Sequence, residues 1–263
     1  MAEPVIILDN GSGYLKAGLS NIENPMVSFT EKQILTLPSL IGRTFSGYSE
    51  IIGNINLKPI MIGDEVSPVR SLLDLTYPIQ EGIKKCTDDI YILWDYCIKK
   101  LGFGYFNIEP QPKLALFCEG KCTGIVLDSG DNFTNCVPIA YNYILHHQTK
   151  TLDIAGRHIT DYLIRLLQLK GYESNQIVDF EFARQFKEKY CFVSCDINSD
   201  RKFDKETTYY NSIHKLPDGR KIKISGEKFE APEILFKPYY IQNESCGIHE
   251  MLYNSINVNI YFI

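Results

Sequence analysis

Val5-Ile6-Ile7-Leu8-Asp9-Asn10-Gly11-Ser12-Gly13 has a counterpart later in the chain, Gly124-Ile125-Val126-Leu127-Asp128-Ser129-Gly130-Asp131. Each copy is an apolar run, then Leu-Asp, a small polar residue, Gly and another polar residue. An apolar run of this length bounded by turn residues reads as a buried strand. Asp9 and Asp128 then sit at the strand exits, with a Gly-containing turn after each. Successive backbone N–H groups in such a turn can hold a phosphate oxygen. One copy is common in α/β proteins. Two copies, one per half of the chain, predict a duplicated fold that grips one polyphosphate from both sides, with the two carboxylates near its metal.

The surrounding sequence fits an ordinary globular protein. Its 263 residues are 44% apolar and 22% charged, enough for one large or two smaller domains. The net charge of −5 argues against nonspecific binding to nucleic acid or an anionic membrane. The N-terminal residues show no secretory pattern, and no apolar stretch reaches membrane-spanning length, so a cytoplasmic location is expected. The eight cysteines then read as reduced, buried or half-buried thiols. None of them forms a Cys-x-x-Cys pair, and no His stands at metal-ligand spacing.

Tyr14 to Leu19 reads as the return strand of the first hairpin, with Lys16 placed to point back toward the phosphates. Residues 20–37 read as loop-rich. Short apolar runs broken by Gly, Asn and Pro follow, and predict a small sheet-bearing insertion. Thr87 or Asp88 is a candidate helix cap, with Ile90, Leu93, Trp94 and Cys97 on the buried face. In 101–113, Gly and Pro should break any regular element. From Leu152, Ile154, Ile159, Tyr162, Leu163, Leu166 and Leu167 make a helical stripe with Gly171 as its C-cap. A second helix is expected over about Asp179 to Cys191. The polar segment 196–212 reads as an irregular loop. Leu216 to Arg220 reads as a turn, with Lys221 to Ile224 a strand after it. A helix begins at Pro232, and a last one uses Ile248, Met251, Leu252, Ser255 and Ile256. The apolar end Asn259 to Ile263 reads as a chain cut off inside a fold.

Asp9 to Gly18 resembles the first phosphate loop of actins and actin-related proteins, and Asp128-Ser129-Gly130-Asp131 the second. Pro38 to Arg43, Gly63-Asp64-Glu65, Tyr77-Pro78-Ile79, Asp153 to Arg157, Lys187-Glu188-Lys189, Leu216 to Arg220 and Glu230 to Glu233 match the same family in order. The resemblance implies an α/β, duplicated actin-like (ribonuclease H-like) ATPase fold, incomplete, with two lobes around a nucleotide cleft. Residues 1–122 would form the first lobe, with an insertion at about 33–67. Residues 123–263 would form the second, truncated at its C-terminus. ATP and Mg²⁺ are the implied cofactors. Asn10, Gly11, Ser12, Gly13, Tyr14 and Lys16 would hold phosphates, and Ser129, Gly130, Asp131 and Asn132 would form the second turn. Gly156 would lie near the ribose, Arg184, Lys187 and Glu188 would flank the nucleoside, and Asp9 and Asp128 would hold the metal.

The chain departs from the family's pattern at several places, among them the C-terminal portion that would bring the adenine loop. Asn132 stands where Gly is usual and is compatible with a left-handed turn. Asn135 replaces a His near the attacking water. The segment with the water-positioning Gln is missing between about Asn107 and Leu114. No catalytic residue is therefore assigned, and at most weak ATPase activity is expected. The implied role is a cytoskeletal one in the cytoplasm, with actin and subunits of an actin-nucleating complex as partners. The alternatives are a noncatalytic actin-like interaction module or a truncated conventional-actin-like chain without nucleotide binding. A phosphotransferase or chaperone ATPase on the same fold would need a substrate base or a peptide-binding domain, and neither is evident.

Overall fold

The computed structural model describes residues 5–20, 34–45, 51–52, 55–80, 83–84, 86–101, 105–107, 110–172, 176–215, 219 and 221–259. The chain divides into two compact units. One comprises Met1–Cys122 with Gly130–Asn132, the other Thr123–Ser129 with Phe133–Ile263.

In the first unit, β1 (Val5–Asn10) and β2 (Tyr14–Ser20) form an antiparallel hairpin whose last paired residues are Asn10 and Leu15. β3 (Ile34–Pro38) pairs with β2, so a strand closes the segment expected to be loop. β4 (Ile41–Thr44) follows, then the two-residue strands β5 (Ile51–Ile52) and β6 (Ile55–Asn56), then β7 (Ile60–Ile62). A 3₁₀ stretch over Gly63–Leu72 leads into β8 (Leu73–Thr76). β4 lies between β7 and β8, giving the small sheet expected of the insertion. The short strands β9 (Ile79–Gln80) and β10 (Ile83–Lys84) pair with each other.

Helix α1 (Thr87–Leu101) buries Ile90, Leu93 and Cys97 as its spacing predicts. Burial pushes the Cys97 thiol up to about 11. The helix starts earlier than expected. Ile90 N–H donates to the Cys86 carbonyl at 3.4 Å, which puts the cap at Cys86 rather than at Thr87 or Asp88. Asp89 is buried and receives Arg43 Nη1 at 3.2 Å, while Arg43 also donates to Thr76 Oγ1 at 3.0 Å. This one guanidinium therefore ties β4, β8 and α1 together. Removing the guanidinium would leave the buried Asp89 carboxylate without its cation, which destabilises the fold.

The segment 101–113 holds regular structure after all. β11 (Tyr105–Asn107) adds parallel to β1, giving the sheet order β11-β1-β2-β3. Helix α2 (Gln111–Cys118) starts there, with Pro110 at its cap and Pro112 in its first turn. Proline lacks an N–H, and the first turn of a helix has no use for one, so these prolines start a helix rather than break it.

In the second unit, β12 (Gly124–Ser129) and β13 (Thr134–Ala140) form the second hairpin. β14 (Tyr143–Ile144) and β15 (Lys150–Leu152) both pair with β13. Helix α3 (Gly156–Leu169) begins four residues after the expected Leu152, which ends β15 instead. It stops as expected at Gly171, whose φ of +88° and N–H bond to the Gln168 carbonyl at 2.9 Å close the helix end. α4 (Gln176–Tyr190) packs beside it.

The expected loop at 196–212 is mostly a helix, α5 (Ile197–Glu206). Asp196 caps it, accepting from Asn198 N–H at 3.0 Å and Ser199 N–H at 3.3 Å. The Ser199 hydroxyl, donating at 2.8 Å, and these two N–H bonds hold the Asp196 carboxyl below the usual carboxylate range. β16 (Ser212–Lys215) and β17 (Lys221–Ile224) pair across the expected turn, most of which lies outside the described residues. α6 (Glu227–Glu230), 3₁₀ turns at Pro232–Leu235 and Pro238–Ile241, and α7 (Ile248–Asn259) complete the unit. Residues 260–263, the expected cut end, lie outside the described residues.

The core of this unit joins Leu163 and Leu167 of α3, Ala183 and Phe186 of α4, Ile222 and Ile224 of β17, and Met251 of α7. Cys136 is buried there, but Cys118, Cys122, Cys195 and Cys246 are exposed, against the expectation of uniformly covered thiols.

Candidate functional site: two aspartate-bearing hairpins

The two hairpins share one register. Asp9 faces Lys16 and Asn10 faces Leu15; Asp128 faces Asn135 and Ser129 faces Thr134. Each Asp is thus the next-to-last residue of its strand, and four residues connect the last pair in both. The third strand repeats the match, with Thr36 of β3 beside Lys16 and Thr151 of β15 beside Asn135. Directly opposed residues share a sheet face. Two polar rows result, Asp9–Lys16–Thr36 and Asp128–Asn135–Thr151.

In the first turn, space requires glycine. A Cβ on Gly11 would come within 2.5 Å of the Tyr14 carbonyl oxygen, and one on Gly13 within 2.7 Å of Asp131 Cβ. Gly13 and the Gly130–Asn132 turn belong to the same compact unit. Neither glycine has positive φ, and neither does Asn132, so the left-handed turn expected at Asn132 is absent. Ser39 braces the turn by donating its hydroxyl to the Gly11 carbonyl at 2.7 Å and its N–H to the Gly13 carbonyl at 2.9 Å. Ser12 and Tyr14 are half-buried. Lys16 is exposed and reaches Asp9 at 3.5 Å.

The second turn is braced from within. Thr134, fully buried, shares a hydrogen bond with Ser129 Oγ at 2.8 Å and donates to the Ile154 carbonyl at 2.7 Å. Ile154 leads into α3, so this hydroxyl couples the hairpin to the helix start at Gly156. The Gly156 carbonyl accepts from Lys187 Nζ at 2.8 Å and from Thr160 Oγ1 at 3.1 Å. Ala155 N–H donates to His158 Nδ1 at 3.3 Å. Arg184 is held between two carboxylates, with Nε 3.1 Å from Glu181 Oε2 and Nη1 3.0 Å from Glu188 Oε1.

The structure thus gathers Asp9 to Lys16 with the Gly130–Asn132 turn in the first unit. In the second it gathers Asp128 and Ser129 on one hairpin, and Gly156, Arg184, Lys187 and Glu188 at the start of α3 and on α4. Sequence reasoning missed Ser39, Thr134, Glu181 and His158. The small hydroxyl pair Ser129 and Thr134 flanking the second turn was a usable signal. Nothing local marked Ser39, whose hydroxyl's partner Gly11 is 28 residues away.

The side chains fit a polyphosphate with a divalent cation. Among the described residues, Asn10 Oδ1 and Asn135 Oδ1 are buried with no hydrogen-bond partner. An unmet buried acceptor costs about 1–3 kcal/mol, which a bound donor recovers. Carboxylate and amide oxygens suit Mg²⁺ and its waters.

A family model for actin matches residues 97–259. The chain is 36% identical over 288 residues to actin-related protein 2 of Caenorhabditis briggsae, covering 97% of this chain and 71% of that one. It is 36% identical over 290 residues to actin-related protein 2 of Schizosaccharomyces pombe, covering 97% and 72%. Against actin-related protein 2 of Acanthamoeba castellanii the figures are 36% over 287 residues, 96% and 72%. The chain belongs to the actin family and has the actin-like ATPase fold. These relatives match nearly the whole chain, whereas the family-model match covers residues 97–259. Among the described residues no helix is long and apolar enough to cross a membrane.

Proposed function

We propose that this chain is an ATP- and Mg²⁺-binding actin-related protein of the cytoplasmic cytoskeleton, acting as a subunit of the actin-related protein 2/3 complex that nucleates branched actin filaments. The observation that carries the nucleotide reading is the shared register of the two hairpins, each presenting an Asp as the next-to-last residue before its turn. The backbone N–H groups of Gly11, Ser12, Gly13 and Tyr14 hold phosphate oxygens, assisted by Lys16 as a point charge. Asp9 and Asp128 attract Mg²⁺ through its waters, and the bound ion neutralises phosphate charge. Gly130, Asp131 and Asn132 add the second turn. Gly156 approaches the ribose, and Arg184, Lys187 and Glu188 border the nucleoside. The complex-subunit reading rests on the actin-related protein 2 relatives.

ATP serves here mainly as a ligand that biases conformation, because it favours a state only by the extra contacts made in that state. Hydrolysis is slow: the neutral amide Asn135 is no general base for the attacking water. The test is a titration of the full chain with labelled ATP, with and without Mg²⁺. Saturable, Mg²⁺-dependent binding is expected, and folded protein that binds nothing at millimolar nucleotide overturns the reading. Co-purification with actin-nucleating complex subunits tests the partner assignment separately. Association that ignores nucleotide would favour a noncatalytic interaction module.

A further inference from the structure

The two polar rows differ at their centres. Lys16 puts a positive charge opposite Asp9; Asn135 puts a neutral amide opposite Asp128. The Asn135 carbonyl oxygen is buried and has no hydrogen-bond partner among the described residues. Its row ends in the exposed hydroxyl of Thr151. The neighbouring row of side chains lies on the opposite sheet face and is already satisfied, since Ser129 and Thr134 bond each other at 2.8 Å. The unmet acceptor therefore sits on the face shared with the carboxylate.

We propose that Asn135, with Thr151 beside it, is a positioning residue for a hydrated divalent cation drawn by Asp128. The amide oxygen accepts a hydrogen bond from a water in the ion's shell. Three observations select this ligand. A buried acceptor needs a donor, and water on a divalent ion is a strong one. The adjoining carboxylate favours a cation. Mg²⁺ releases its waters reluctantly, so outer oxygens that receive those waters fix its place. The first row carries its own cation in Lys16, which serves phosphate oxygens beside Asp9. Both rows thus offer the metal a carboxylate and differ in what stands opposite it, a charge for the anion in one and an acceptor for the metal's waters in the other.

This inference rests on the ATP–Mg²⁺ reading, and the experiment separates the two. ATP binding by the full chain is titrated against free Mg²⁺ and repeated in EDTA, alongside thermal melts of the metal-free protein. Asn135→Leu is expected to raise the Mg²⁺ concentration for half effect by about ten-fold or more, as loss of an outer-shell partner does. Its effect in EDTA is several-fold smaller, and the metal-free melt is unchanged or higher because an unmet acceptor is gone. Asn135→Asp adds charge and lowers the Mg²⁺ requirement. Thr151→Val raises it by about two- to ten-fold, the worth of one hydrogen bond. If Asn135→Leu does not fold, the other two variants decide. Unaltered Mg²⁺ dependence in the variants, with ATP still bound, overturns this inference alone. Wild-type protein that binds no ATP overturns the nucleotide reading, and this inference with it.

Discussion

The first and second hairpins have the same backbone plan and different side-chain solutions. Both place an Asp next to last before a four-residue connection, and both add a third strand on the same side with a Thr in the same row. Their braces differ. Ser39, from beyond β3, holds the carbonyls of the first turn, whereas Thr134 of the hairpin's own strand holds the second. Their charges differ too, with Lys16 in one row and Asn135 in the other. Hydrogen-bonded register fixes where the groups stand, and a single side chain then sets whether a row attracts an anion or a cation's waters.

The largest effect should come from the tightest backbone approach. Gly13→Ala places a Cβ 2.7 Å from Asp131 Cβ, so one turn must shift. Overpacking of this kind costs about 1–3 kcal/mol, and ATP affinity should fall about ten- to hundred-fold. The equivalent residue in the second turn is Asn132, and Asn132→Gly should cost at most about 1 kcal/mol of stability. Equal losses from the two substitutions would break the comparison.

Lys16→Met should come next. It removes a charged donor worth about 1.5–3 kcal/mol, again about ten- to hundred-fold in ATP affinity. Asn135→Lys, which copies the first row into the second, should instead abolish the Mg²⁺ requirement while sparing binding in EDTA. Competition titrations over a Mg²⁺ series read both, and a shared phenotype would mean that the rows do not have separate tasks.

Much of this plan was legible in the sequence because it is local. An apolar run, an Asp and a Gly within nine residues define each strand exit, and Gly171 alone closes α3. What escaped was long-range or weakly patterned. α5 has few apolar residues, with only Ile197 buried along it, so no stripe announced it; its cap at Asp196 was the available sign. α2 was hidden by prolines whose place in a first turn makes them starters. The glycines at 11 and 13 were legible as turn residues, but that space requires them, without positive φ, was not. Ser39 bonds a turn 28 residues earlier, a pairing that no local pattern encodes.

The two braces give the next test. Thr134→Val leaves the Ile154 carbonyl without its buried hydroxyl partner, at a cost of about 1–3 kcal/mol. Ser39→Ala removes one side-chain bond but keeps the Ser39 N–H bond to Gly13, so about 1 kcal/mol is expected. Chemical denaturation ranks them. A larger loss from Ser39→Ala would show that the outer brace carries more of its hairpin than the inner one.

The smallest effect separates the units by pH, because all five histidines lie in the second. His214 stands 4.9 Å from the Phe186 ring and 4.6 Å from the Tyr190 ring, and its Nε2 is 2.8 Å from Ser212 Oγ. Burial pushes its pKa below the usual value, and Lys228 and Lys189 push the same way. The folded state therefore prefers the neutral ring. As pH falls below about 6.5, the unfolded chain takes up this proton first, so stability declines until the folded ring also titrates, then levels. His214→Gln should flatten that part of the decline in thermal melts between pH 7 and 5. Hydrogen exchange should place the change in β16 and β17, with no corresponding change in β1 and β2. An undiminished slope in the variant would move the acid sensitivity to another group, and a matching change in the first hairpin would show that the units do not respond separately.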